Sequence, residues 1–179
     1  MYRNCATELS ARHQRQVTDA LLELMQKMPY EDITVTLLCQ TAGLSRRVFY
    51  HLFSNKTGAL HALVDHKLLD IESYGREIPS DALRFFRYWM DQKTFLDVLN
   101  ANGYSGLLLE RLISRVLTED YDVLYWLRSN GWIDNSQEVI IFGLSGLMGL
   151  VYSWYYSGYR KSPEEMAALV AQISQPFSQ

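Results

Sequence analysis

Apolar residues recur at helical spacing along most of the chain, and no stretch of any length alternates as a half-buried strand would. Residues 14–28 place Val17, Ala20, Leu21, Leu24, Met25 and Met28 on one face, and Pro29 ends that helix. Two short helical patterns follow, over residues 35–42 and 46–53, with Thr34 and Ser45 in the cap positions. Each cap hydroxyl can accept a hydrogen bond from a backbone N–H that the first turn leaves unpaired. Gly43 stands where the first of these helices must stop and reverse, because Gly reaches positive φ without a Cβ penalty. A long helix then runs from Ser54 or Asn55 to about residue 76, with Leu60, Leu63, Val64, Leu68 and Ile71 in phase, and Gly75 and Pro79 break it. Residues 81–90 form an aromatic-rich helix, and residues 94–100 a short one closed by Asn102 and Gly103. Residues 104–127 form a long helix, with Leu107, Leu108, Leu112, Ile113, Val116 and Leu117 in phase, and Asn130 and Gly131 end it.

Asn135 or Ser136 opens the helix that builds the body, and residues 139–159 carry no charge. That run is long enough to span a bilayer. Its glycines, serines and tyrosines make it less apolar than a typical span, and no other segment would join it, so no membrane partner is expected. Ser145, Gly149, Ser153 and Ser157 recur every four residues as a small-residue stripe that lets a second helix approach closely. Ser162 or Pro163 starts the last helix, with Glu164 and Glu165 in its first turn and Met166, Leu169, Val170 and Ile173 on its apolar face. The dimer interface is expected at Ser145, Gly149, Ser153, Ser157, Leu169 and Ile173, as half of a four-helix bundle about a two-fold axis. The fold class is all-α, with about nine helices.

Composition narrows the function. The chain has 179 residues, 48% hydrophobic and 21% charged, which is globular. The net charge of −3 hides an asymmetry: residues 1–56 hold seven Lys/Arg against five Asp/Glu, for +2, and the remainder carries −5. A mildly basic head on an acidic body suits a DNA-reading protein. Arg3, Arg12 and Arg15 are read either as a solvated basic face or as phosphate contacts. Cys5 and Cys39 are too far apart to suggest a metal spacing or a disulfide framework, so a reducing, cytoplasmic setting is expected. Cys39 falls on an apolar face and should be buried. The N-terminus lacks the apolar core of a secretory signal. His61 and His66 are five apart and do not share a helix face, so no metal is expected. No nucleophile–base pair or phosphate loop is visible, and neither an enzyme nor a cofactor is expected.

Two helices around a glycine turn make a helix-turn-helix, whose second helix can lie in the major groove of DNA. Over residues 17–63, the segments ITV, AGLS, FYHLF and NK at their spacing resemble the TetR/AcrR family of bacterial transcriptional regulators. The ending GLSGLMGLVYSWYYSGYRKSPEEMAALV is similar to a subgroup that contains dihydroxyacetone kinase operon regulators. The resemblance implies a three-helix DNA-binding head over residues 1–56 and a helical effector-binding and dimerisation domain over residues 57–179. It implies a homodimeric repressor released from a pseudo-palindromic, double-stranded operator by a small-molecule effector. The alternative is a coactivator or sensor on the same fold, acting through a protein partner. DNA contacts carried over by position are Thr34, Thr36, Arg46, Arg47, Tyr50, His51 and Lys56, with Cys39, Phe49, Leu52 and Phe53 facing inward. An exposed arginine here can be bidentate to guanine or can pair with phosphate, and the plainer alternative is a solvated helix face. Tyr50 has its own alternative as a core-edge tyrosine. Phe85, Phe86, Trp89, Tyr104, Tyr125, Trp126 and Phe142 are expected to line a pocket for an apolar or aromatic effector, with ordinary core packing as the alternative.

Overall fold

The computed structural model describes residues 2, 7–74, 81–118 and 137–174, and among them lie nine α-helices and one short 3-10 turn. Helix α1 is Glu8–Met25. It begins well before the first apolar repeat because Thr7 caps it, accepting from the Ser10 N–H, and Glu8 lies in the first turn against the positive end of the dipole. Its opening turns are solvated, so they carry no apolar phase to read. It stops at Met25 and leaves through a turn, since the residue before Pro29 is pushed out of helical geometry.

A 3-10 turn at Tyr30–Asp32 leads into α2 (Val35–Ala42), α3 (Arg46–Leu52) and α4 (Lys56–Ser73). The Asn55 carboxamide oxygen accepts from the Gly58 N–H at 2.8 Å and starts α4. Val17, Leu21, Leu38, Phe49, Phe53, Leu60, Leu63 and Val64 are buried here. Complete burial of each such side chain contributes about 1.5–3 kcal/mol against exposure. Tyr2 pairs as an antiparallel bridge with Phe53, and its hydroxyl donates to Asp65 at 2.6 Å. Asp65 is completely buried, and a carboxylate in that position requires such donors.

The chain divides into two compact units, Met1–Leu69 with Asp97–Leu108, and Asp70–Leu96 with Leu109–Gln179. The second unit holds α5 (Asp81–Asp91), the start of α6 (Lys93–Ala101), most of α7 (Leu107–Leu117), α8 (Gln137–Tyr156) and α9 (Pro163–Ser174). α5 packs along α9, where Arg87 pairs with Glu164 at 2.7 Å. The Arg87 guanidinium holds the Glu164 carboxyl below its usual range, and the pair is exposed. Phe86 meets Trp154 edge-on with centroids 5.6 Å apart, and the Trp154 indole N–H donates to the Lys161 carbonyl at 2.8 Å. Ser162 and Glu165 close a reciprocal capping box at the start of α9.

α7 begins at Leu107 rather than at residue 104, because Gly103 adopts φ 76° and turns the chain before a new helix can start. The expected continuation to residue 127, the stops at Gly75, Pro79, Asn130 and Gly131, the caps at Asn135 and Ser136, and Arg3, Cys5, Tyr125 and Trp126 lie outside the described residues.

Candidate nucleic-acid interface

Thr34 has extended geometry and its hydroxyl accepts from the Leu37 N–H at 3.1 Å, which starts α2. That hydroxyl keeps its own proton to donate. Gly43 ends α2 at φ 66°, where its N–H reaches the Gln40 carbonyl and the Leu44 N–H reaches that of Cys39. Ser45 then accepts from the Val48 N–H at 3.3 Å and starts α3. A Cβ on Gly43 would meet no atom within 4 Å, so substitution there strains the backbone alone. Gly43→Ala is expected to lower unfolding free energy by about 1–2 kcal/mol, the cost of left-handed geometry for an L-residue. Chemical denaturation with an unchanged m-value would show it, and an unchanged midpoint would contradict it.

The turn aims α3 so that Phe49 and Leu52 are buried while Arg46, Arg47, Tyr50 and His51 are exposed. Positions i, i+1, i+4 and i+5 share one side of a helix. The Tyr50 ring is braced: it meets the buried Phe49 ring edge-on at 5.3 Å, and the Arg46 guanidinium lies 5.9 Å from its centroid. Thr34 and Thr36 are exposed at the start of α2. The electrostatics of this surface are sharper than the +2 of residues 1–56 suggests. Residues 33–64 contain no Asp or Glu, while they hold Arg46, Arg47 and Lys56. That acid-free run was the signal that a net count over a longer window conceals.

Lys56 is half-buried at the start of α4. Its ammonium donates to the Tyr30 carbonyl at 2.6 Å and the Glu31 carbonyl at 3.3 Å, and lies 4.1 Å from the centroid of the Tyr30 ring. The Tyr30 carbonyl also accepts from the Ile33 N–H at 3.1 Å, so Lys56 adds a second donor there and a further one at Glu31. Cys39 is buried; burial pushes its thiol up, with the Arg46 charge acting against that, so it packs as an uncharged side chain.

Of the expected effector residues, Phe85, Phe86 and Trp89 are buried on α5. The Trp89 indole N–H is buried with no acceptor among the described residues. Tyr104 packs edge-on against Tyr30 with centroids 5.1 Å apart, and its hydroxyl donates to Glu31. Burial and the neighbouring Glu31 and Tyr30 push it up to about 12. Phe142, by contrast, is 75% exposed on α8.

The small-residue stripe lies along α8 and reaches Ser157, just past its end. Gly149, Ser153 and Ser157 are exposed, but Ser145 is half-buried. An every-four row drifts by about 40° per step on a helix of 3.6 residues per turn, so it leaves any fixed face. The exposed face of α8 instead runs through Val139, Phe142, Gly146, Gly149, Ser153 and Tyr156. On α9, Leu169 is half-buried and Ile173 exposed. By length and composition alone α8 could cross a membrane, a test that core helices of globular proteins also pass. Among the described residues no three His, Cys, Asp or Glu are placed to hold a metal ion, and His66 Nδ1 lies 3.2 Å from the Thr18 hydroxyl.

Residues 17–63 match the family described as "Bacterial regulatory proteins, tetR family". No curated protein matches the chain. Among solved structures it is similar to "Dihydroxyacetone kinase operon activator DhaS", at 19% identity over 90% of this chain and 93% of that one, with a TM-score of 0.52. It is also similar to a tetR-family transcriptional regulator from Streptomyces coelicolor, at 15% identity over 92% of this chain and 80% of that one, with a TM-score of 0.51. At these identities the likeness is one of fold.

Proposed function

We propose that the chain is a regulator of the TetR family, whose pattern residues 17–63 match, and that it acts as a homodimeric repressor, released from a pseudo-palindromic operator when a small effector binds its body. Residues 1–56 would read the double-stranded DNA, and residues 57–179 would carry effector binding and dimerisation. The observation that carries this reading is the exposed surface of Arg46, Arg47, Tyr50 and His51, presented by α3, which Ser45 caps, within a run free of Asp and Glu. Set in the major groove, Arg46 and Arg47 reach guanine edges or phosphates, and Tyr50 brings an aromatic edge and a hydroxyl. Thr34 and Thr36 face the backbone from the start of α2. Lys56 contributes by holding the turn before α2 instead of meeting phosphate itself.

One recognition helix spans too few base pairs to be selective, and a two-fold pair of heads reads two half-sites. The open face of α8 supports such pairing. Gly149 lies midway between Phe142 and Tyr156, and Cβ atoms added at Gly146 or Gly149 would meet nothing within 4 Å. A second copy crossing antiparallel at Gly149 sets each Phe142 against the other copy's Tyr156, over a glycine floor. For the effector, the buried aromatics of α5 offer apolar surface, and the Trp89 N–H offers one donor for an acceptor on an apolar or aromatic molecule.

The test is selection by the purified chain from a pool of randomised duplex DNA, followed by titration at physiological salt. Enrichment of one pseudo-palindromic sequence, with the logarithm of the affinity falling linearly with log[salt], is expected. If nothing is enriched, the repressor reading is lost. The reading that then gains is a coactivator or sensor working through a protein partner, a possibility kept by the modest charge of the head and by the fold shared with a protein described as an operon activator.

A further inference from the structure

The turn at Tyr30–Asp32, which leads to the Thr34 cap, is held from two sides by side chains distant in sequence. From one side, Lys56 takes the Tyr30 carbonyl. From the other, Asn102 accepts from the Tyr30 N–H at 2.6 Å. The Asn102 amide cannot turn freely, because its nitrogen also donates to the Val98 carbonyl at 2.8 Å. Tyr104 adds its ring edge against Tyr30 and its hydroxyl on Glu31 at 3.2 Å. Both side chains stand at the end of α6, which Gly103 closes in left-handed geometry, with the Gly103 and Tyr104 N–H groups bonded back to Asn100 and Leu99. That corner is therefore stiff. It lies more than seventy residues from Tyr30 in sequence, yet Asp97–Leu108 forms one compact unit with Met1–Leu69.

We propose that Asn102 and Tyr104 are positioning residues for DNA reading: the corner between α6 and α7 grips the backbone of the Tyr30–Asp32 turn and thereby sets the start of the helix-turn-helix. Both side chains are engaged within the protein, Asn102 with Tyr30 and Val98 and Tyr104 with Glu31, and neither belongs to the exposed surface of α3. Their effect is on alignment. Non-specific binding depends on the count of positive charges and tolerates misalignment, whereas selective binding requires the α3 side chains in register with base edges. The grip should therefore appear in the ratio of selective to non-specific affinity and leave the non-specific value alone. This rests on the DNA-binding reading above.

The experiment uses the full chain, the duplex that the wild-type protein enriches from a randomised pool, and a scrambled duplex of equal length. Both are titrated well below the unfolding midpoint, where each variant is fully folded by circular dichroism. Asn102→Ala is expected to lower the selective-to-non-specific ratio about tenfold, the factor set by one well-placed hydrogen bond. Asn102→Asp, which keeps an acceptor for the Tyr30 N–H, should recover most of it. Tyr104→Phe keeps the ring contact and loses only the Glu31 bond, so its ratio should fall less. A residue that merely stabilised the fold would lower the unfolding midpoint and leave the ratio unchanged. An unchanged ratio in both Asn102→Ala and Tyr104→Phe overturns the proposal. If Asn102→Ala does not fold, Tyr104→Phe decides by itself: a lowered ratio supports the grip and an unchanged one ends it. If the wild-type protein enriches no sequence, the DNA-binding reading has failed, and the grip falls with it for that separate reason.

Discussion

Replacing Arg46 and Arg47 together by alanine is expected to abolish sequence-selective binding to duplex DNA while the chain unfolds at its original temperature. A bidentate arginine–guanine pair is worth about 1–3 kcal/mol of discrimination, so losing two costs about 2–6 kcal/mol, or roughly thirtyfold to more than ten-thousandfold in affinity. The fold should not notice. Both residues are exposed on α3, and alanine favours a helix at least as well as arginine. What the fold gives up is the distant approach of Arg46 to the Tyr50 ring. The single variants separate the two roles an arginine can play. One that reads a base relaxes selection at one position of the site, while one that meets only phosphate weakens all sequences alike and lowers the salt slope by about one. Titration of the selected and scrambled duplexes for each variant, beside a thermal melt, gives both readouts. Selective binding that survives the double substitution would remove α3 from the reading surface.

Gly149→Leu is the second large effect expected: sedimentation should show the mass of a single chain at concentrations where the wild-type protein is a pair. The substitution isolates the interface well. Within one chain a Cβ at Gly149 meets nothing within 4 Å, the position is exposed and the backbone there is ordinary helix, so leucine should be accepted by the lone chain and should raise its helix propensity by somewhat less than the roughly 1 kcal/mol that separates Gly from Ala. In the antiparallel crossing the same side chain would occupy the floor on which the other helix rests. It would force the axes apart from the 8–10 Å or so at which packed helices usually lie. Selective DNA binding should then weaken, because two half-sites no longer share one binding event. Phe142→Asp, placing a charge on the same exposed face, should act in the same direction. A variant that keeps both its pairing and its affinity would place the interface on some other surface.

The helix-turn-helix was legible because its instructions are local. Thr34 and Ser45 bond to N–H groups three residues ahead, and Gly43 takes a geometry that its own lack of Cβ permits. The buried and exposed sides of α3 follow from spacing for the same reason. What stayed illegible depends on chain brought from elsewhere. Lys56 reads as a free cation at a helix start until the Tyr30 carbonyl is seen beside it. Asn102 reads as a helix terminator, which it is, with no sign that its amide also reaches the Tyr30 N–H. The exposure of Phe142 was hidden for a different reason: α8 is apolar or small on every side through residues 139–156, and periodicity finds a face only where polar and apolar sides contrast. The start of α1 shows the complement, since its first turns are solvated and carry no buried phase, and the Thr7 cap and Glu8 mark them.

The absence of charge along α8 has a consequence for which chains can pair. Helices that choose partners among many relatives commonly do so with flanking charges, which repel the wrong chain and attract the right one. Residues 139–159 offer no such charge. An interface built on this face must recognise its partner by contour alone, and the Gly146–Gly149 floor is its narrowest gauge. A sister chain carrying large side chains at those two positions is shut out by bulk. One with glycines there would meet no electrostatic barrier to forming a mixed pair, and its second head would bring a different half-site to the DNA.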